Sequence, residues 1–259
     1  EFPPIPVPDL ANGIQINDGN SDAAVEIHIS DSIIRMSVAS PATQAYGIGI
    51  LNNFVGANGN YIAKVWNNLV YGYTAAGGTA GSCMYAQDNG TVYAYNNTCV
   101  GGSGADRGIS AFNSVDFYAK NNLSINSADP YFASVSFNAA STNNFSDLGD
   151  APGLLPKTRD GAGADPIFVG GTDYHLDATD TWARDQGADL SGDAGLPFSD
   201  DIDGETRSGS WDIGSDETAS LPSGPIYYSV GTDSAALYTG NASASSGTLT
   251  LAGPAANNV

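Results

Sequence analysis

Between Asp200 and Glu217 the chain reads DDIDGETRSGSWDIGSDE. Asp200, Asp201 and Asp203 supply the hard carboxylate oxygens that a calcium ion takes. The stretch has no glutamate at the twelfth position of an EF-hand loop, so these three are weak ligand candidates, and calcium held there would be structural. No other cofactor is expected. Two cysteines, Cys83 and Cys99, and two distant histidines, His28 and His175, do not suggest a zinc site. His175 reads as a packed, hydrogen-bonded side chain. Fifteen residues separate the cysteines, and a bridge closing that loop would contribute roughly 3 kcal/mol. The composition suits an extracellular protein, where such a bridge forms; the alternative is two buried thiols.

Catalysis finds less support. Elimination on an acidic polysaccharide needs a basic side chain beside carboxylates that hold a cation. The bases are Arg35, Arg107, Arg159, Arg184 and Arg207, with Lys64, Lys120 and Lys157. Arg107, in SGADRGIS, is the best placed, and reads as a solvated loop arginine. Hydrolysis by paired carboxylates needs two aspartates on one face, and Asp88, Asp106, Asp116 and Asp129 stand singly. There is no Gly-x-Ser-x-Gly elbow or phosphate loop. No catalytic residue is nominated.

With 28 acidic residues against 8 basic ones, the net charge is -20. Such a polyanion is repelled by nucleic acid and by anionic membrane surfaces. Only 14% of residues are charged and 41% are hydrophobic, which supports a real core. Gly, Asn, Ser, Thr and Asp supply turns and argue for many short strands. No apolar run approaches the length of a membrane span. The sequence begins at Glu1 without Met and without a signal-peptide pattern, and is expected to be either a mature, processed chain or an expressed piece of a longer one.

The elements that would position these residues show in a repeat. An Asn-Asn doublet recurs in GILNNFV, KVWNNLV, YAYNNTCV, YAKNNLSI and ASTNNFSD, its first members being Asn52, Asn67, Asn96, Asn121 and Asn143. The gaps are 15, 29, 25 and 22 residues, and the last three suit one coil of a parallel β-helix. Two residues before each first Asn sit Ile50, Val65, Ala94, Ala119 and Ser141; two after sit Phe54, Leu69, Thr98, Leu123 and Phe145. That period of two is a strand with one buried face. Each coil is expected to give a strand, a bend at the doublet and another strand, since Asn tolerates the left-handed conformation. Stacked about 4.8 Å apart, the first asparagines would form an inward hydrogen-bonded ladder.

The residues after the last doublet carry a resemblance. Asp165-Pro166-Ile167-Phe168, Asp173-Tyr174-His175-Leu176, Asp185 with Gly187, Asp201 with Asp203-Gly204, Arg207, and Asp212-Ile213-Gly214 with Glu217 resemble the terminal coils of bacterial right-handed parallel β-helix proteins of the polymorphic outer-membrane and choice-of-anchor Q type. One segment departs: TWARDQG stands where the pattern has Ser-Pro-Ala-hydrophobic-Asp, so the packing of Trp182 is particular to this chain. The resemblance implies that Asp200–Glu217 closes the last coil. Gly204, Gly209 and Gly214 would allow tight turns, Arg207 would neutralise the carboxylates, and Trp211 and Ile213 would alternate with Asp212 as a final strand.

The expected organisation is an all-β chain: a Pro-rich arm over 1–11, a right-handed parallel β-helix over 12–217, and a strand-rich extension over 218–259. The expected function is a non-catalytic structural or adhesive protein, secreted or at the cell surface, with itself as preferred partner in a head-to-tail assembly. A polysaccharide-active enzyme or glycan-binding module is the alternative, with Tyr61, Tyr71, Tyr73, Tyr93, Tyr95 and Tyr118 stacking on sugars or on one another. Among the glycosylation sequons, Asn89 and Asn241 are expected ahead of Asn96.

Overall fold

A computed structural model of the chain describes residues 10–17, 25–36, 44–51, 61–74, 81–102, 107–113, 115–158 and 166–218, with short strands at 228–229, 235–236, 241–245 and 248–252. The chain divides into two units, Glu1–Thr218 and Ala219–Val259.

In the first unit the chain lays down short strands in a repeating order of three. The first rung is β1 (Leu10–Asn17), β2 (Val25–Ser30) and β3 (Ile33–Arg35). Then come β4 (Gln44–Leu51), β5 (Tyr61–Trp66) and β6 (Leu69–Tyr73). The third rung is β7 (Gly81–Gln87), β8 (Gly90–Tyr95) and β9 (Thr98–Gly101). The fourth is β10 (Arg107–Phe112), β11 (Asp116–Lys120) and β12 (Leu123–Ile125). The fifth shrinks to β13 (Asp129–Ala133), a bridge at Thr142 and β14 (Phe145–Ser146); the sixth keeps a bridge at Leu154 and β15 (Lys157–Thr158).

Like strands stack on like. One sheet runs β1-β4-β7-β10-β13, a second β2-β5-β8-β11, and a third β3-β6-β9-β12-β14-β15. Every pairing in these three sheets is parallel. Among the described residues the unit is all-β, a solenoid-like stack of parallel strands. Its first strand begins at Leu10, two residues inside the segment expected to be a proline-rich arm; residues 1–9 lie outside the described part.

In β5 burial alternates along the strand, Tyr61, Ala63 and Val65 facing in and Ile62, Lys64 and Trp66 facing out. Ile29, Val65, Ala94 and Ala119 are register partners, buried in the main core cluster. After the doublet the inward positions are Val70 and Cys99, in the same cluster, and Ser124 beside them in register. The first and third sheets approach closely here. A Cβ on Gly47 would lie 2.3 Å from Val70 Cγ1, and one on Gly108 1.9 Å from Ser124 Oγ, so only glycine fits. Cys83 on β7 and Cys99 on β9 are bonded across the same gap, Cα to Cα 5.8 Å.

The residues two positions after each first asparagine point the other way. Leu123 and Phe145 belong to a second cluster with Leu176, Ala183 and Ile213. A third cluster joins Tyr95 to Leu190, Leu196 and Trp211. Residues from the closing part of the unit therefore bury parts of the outer face of the stack, where Leu123, Phe145 and Tyr95 are apolar.

That closing part departs from expectation. Strand stacking ends at Thr158, well short of residue 217. A two-stranded antiparallel hairpin follows, β16 (Phe168–Gly170) and β17 (Asp173–Leu176). From Asp177 to Thr218 the chain has no strand and forms a strap along the outside of the doublets. It bonds Asn143 through Gln186, Asn121 through Ala188 and Asn67 through Asp200, then turns back to reach Asn96 through Asp212 and Gly214. The motif that was expected to close the last coil is instead a clasp across several. Trp211, Asp212 and Ile213 do not alternate as one strand would; all three are buried, Trp211 in the third cluster and Ile213 in the second.

In the second unit, β18 (Tyr228–Ser229) pairs antiparallel with β19 (Ala235–Ala236), and β20 (Asn241–Ser245) with β21 (Thr248–Ala252). NASAS has weak intrinsic strand preference, which its pairing along the whole of β21 outweighs.

Candidate functional site on the asparagine columns

The doublets build two columns with different work. At the first position the backbone is left-handed: φ is 51° at Asn67, 49° at Asn96, 53° at Asn121 and 51° at Asn143. This bend costs least for Gly and Asn. It turns the following residue inward, so the ladder runs on the second asparagines and not, as expected, on the first. Asn68 Nδ2 donates to Asn97 Oδ1 at 3.0 Å, Asn97 Nδ2 to Asn122 Oδ1 at 3.0 Å, and Asn122 Nδ2 to Asn144 Oδ1 at 3.1 Å. Each of these oxygens also accepts the backbone N–H of the preceding asparagine in the column. Each Nδ2 also reaches a backbone carbonyl, such as Val65 from Asn97 and Ala94 from Asn122. The last amide, Asn144, ends on the Pro152 carbonyl.

The first rung has the same corner without the doublet. Asp31 takes the left-handed position with φ 52°, and Ser32 stands at the inward position, its N–H donating to Asn68 Oδ1 at 3.2 Å. The sequence signal was the spacing: ISDS precedes its doublet by a full rung. Asn52 itself lies outside the described residues. Leu51 before it ends β4 of the first sheet, whereas Trp66, Tyr95 and Lys120 end strands of the second. The 15-residue gap is therefore a step between sheets, not a rung.

The outer column is what the strap binds. Asn67 Nδ2 donates to the Asp200 carbonyl, Asn96 Nδ2 to those of Asp212 and Gly214, Asn121 Nδ2 to that of Ala188, and Asn143 Nδ2 to that of Gln186, all at 2.8 to 2.9 Å. Asn121 Oδ1 accepts the Ala188 N–H in return. The strap is pinned to itself by buried carboxylates. Asp180 accepts the N–H groups of Ile167, Trp182, Ala183 and Arg184. Asp201 accepts those of Asp203, Glu205 and Glu217, and Asp212 those of Asp185 and Thr218.

Arg207 sits at the turn of the strap with its side chain fully buried. Nε donates to the Asp200 carbonyl, Nη1 to Asp216 O and Glu217 Oε2, and Nη2 to Asn67 Oδ1 and to the carbonyls of Gly214 and Ser215. Burial lowers its pKa while Glu217, Asp201, Asp212 and Asp216 hold it up. One guanidinium does not offset four acids. Burial pushes Asp216 up to about 6 and Glu217 up to about 7, and it raises Asp212 as well.

The calcium candidates do not act together. Asp201 spends both carboxylate oxygens on backbone N–H groups, and Asp200 holds Asn67 and Arg207 through its carbonyl. Asp203 joins a different set. Its Oδ2 lies 2.9 Å from His175 Nε2, and His175 Nδ1 bonds Asp173. His175, Asp203 and Asp216 each offer one ligand atom, all within 4.8 Å of one another, the one such group among the described residues.

The basic and aromatic candidates are engaged within the fold. The Arg107 guanidinium lies 3.9 Å from the centroid of the Phe132 ring. Lys120 pairs with Asp193 at 2.5 Å and Lys64 with Glu26 at 2.5 Å. Tyr61, Tyr73 and Tyr95 are buried. Tyr93 stacks on Tyr118 at 5.0 Å, and Tyr71 tilts against Tyr174 at 5.0 Å. A longer column, Tyr46–Tyr85–Phe112–Phe132, has centroid steps of 4.5 to 4.8 Å; these rings face one another. Asn89 is exposed at the corner between β7 and β8, and Asn241 is the first residue of β20.

No protein-family model, no curated protein and no solved structure matches the chain.

Proposed function

We propose that the chain is a non-catalytic structural or adhesive element of a cell surface, a right-handed parallel β-helix akin to the surface proteins its closing motif resembles. The double asparagine column carries this reading. The repeated polar side chains hold rungs in register on the inside and bind the strap on the outside, a use that rewards regular stacking rather than a reacting centre. The right hand follows from the strong preference of parallel crossover connections. The Cys83–Cys99 bond fits an oxidising, extracytoplasmic setting.

Assembly is head to tail. β1, β2 and β3 are end strands of their sheets, and β15 ends the third sheet at the other pole. Both poles carry exposed apolar side chains, Ile33 (61%) at one and Leu155 (67%) at the other. Parallel end strands of one cross-section add to one another by translation, which gives an open polymer rather than a ring. Sedimentation velocity over a wide range of concentration, with electron microscopy, tests this. Growing rods that disappear in both Ile33→Asp and Leu155→Asp are expected. A monomer at every concentration, or rods indifferent to both substitutions, removes the assembly.

A further inference from the structure

We infer that His175, Asp203 and Asp216 form a site for one divalent cation of the zinc class, which clamps β17 to the two ends of the clasp. The three ligand atoms come from separate segments: β17, the turn after Asp201, and the stretch that follows Gly214. They lie within 4.8 Å of one another. The ring is already oriented. Asp173 bonds His175 Nδ1, the second-nitrogen partner that metal-binding histidines take, and this directs Nε2 at the two other carboxylates. Asp216 is anchored from behind, its Oδ2 accepting the Leu176 N–H at 2.7 Å.

The chemistry of the converging atoms points to a cation. With its proton on Nδ1 the imidazole presents only a lone pair at Nε2, and ionised carboxylates present only lone pairs. A proton on Nε2 serves one carboxylate, at 2.9 Å in Asp203. A divalent ion serves all three atoms at once. The surroundings favour it, since Asp201, Asp212 and Glu217 lie in the same clasp as Asp216 against a single Arg207. One imidazole nitrogen with two carboxylate oxygens suits zinc or its neighbours, whereas calcium takes oxygen alone. His175 and Asp203 keep 38% and 52% of their side chains exposed, which leaves an entry path.

The test uses the full chain, stripped with chelator and titrated with zinc by calorimetry, with melting temperature followed in parallel. One ion per chain is expected, with a melting temperature that climbs as free ion exceeds Kd. His175→Gln and Asp203→Asn should each weaken binding at least about tenfold. Asp173→Asn, which only positions the ring, should weaken it about 10- to 100-fold. Asp189→Asn, an exposed carboxylate elsewhere in the strap, should leave it unchanged. Asp203 is exposed in a turn, so its variant folds even if that of His175 does not. Absence of saturable binding overturns the site. So does binding that survives both ligand substitutions, the mark of a diffuse polyanion, or calcium binding as tightly as zinc.

Discussion

The side-chain amide of Asn97 donates to the side-chain oxygen of Asn122 at 3.0 Å, and that oxygen also takes the backbone N–H of Asn97. Two hydrogen bonds thus tie one corner to the next, and the same pair recurs from Asn68 to Asn97 and from Asn122 to Asn144. Asn97→Ala takes the acceptor from the buried Asn68 N–H and the side-chain donor from the Val65 carbonyl. Each such group costs about 1–3 kcal/mol. A large fall in denaturation midpoint is expected, whereas Thr172→Ala, exposed in the turn between β16 and β17, should stay within about 0.5 kcal/mol. Equal midpoints would remove the inner column as a stabilising element.

The outer column combines a bend with a bond, and two substitutions at Asn121 separate them. Glycine keeps the left-handed corner and loses the bonds to Ala188 and Asn96. Alanine loses the bonds and strains the corner by a further 1–2 kcal/mol or so. Asn121→Ala is therefore expected to melt below Asn121→Gly. The reverse order in calorimetry would mean that φ at this corner relaxes.

Arg207→Met should be severe. It takes the guanidinium donors away from Glu217, Asn67 and four backbone carbonyls in a buried turn, and breaking a buried pair from one side costs about 3–5 kcal/mol. Arg207→Lys should recover little, because an ammonium cannot reach six acceptors spread around a planar fork. Chemical denaturation of both variants checks this; a lysine variant as stable as the parent would show that only the charge matters.

Glu217 makes the clasp sensitive to pH in a definite direction. Burial raises its carboxyl from an ordinary 4.5 to about 7. Between those values the folded chain holds a proton that the unfolded chain has released. Stability is therefore greatest below about 4.5 as far as this group is concerned, and declines as pH rises through 7. Asp216, raised from 3.8 to about 6, acts in the same sense. Melting in chelating buffer should rise from pH 8 to pH 5, less steeply in Glu217→Gln. A parent whose stability grows toward pH 8 would contradict the assignment.

Three glycosylation sequons start at buried asparagines, Asn96, Asn122 and Asn144, and one at exposed Asn89. Made in a host that glycosylates sequons, the soluble chain should carry sugar at Asn89 and none at Asn122, whose amide is committed to Asn144 and the Ala94 carbonyl. Glycopeptide mapping that finds folded protein modified at Asn122 would refute the column.

The sequence by itself determined the rung. The doublets at 67, 96, 121 and 143 mark one corner of successive turns, and Val65, Ala94 and Ala119, two positions before the first three, face the core as strand alternation requires. The doublet's composition also declared a left-handed bend. What it left open was which asparagine faces in, because both members are the same residue and only the backbone angle at the first sends the second inward. The burial of Leu123 and Phe145 was legible as apolar character but not as direction, since a strand covered on both faces loses its alternation. Asp200–Glu217 was legible as a knot of carboxylates around Arg207. Its place over the rungs was not, because the bonds that put it there join Arg207 to Asn67 and Gly214 to Asn96 across more than a hundred residues. Local pattern encodes the strand and the turn; contact between distant segments, decided when the outer faces of the stack are buried, determines which carboxylates meet His175 and which are spent on backbone N–H groups.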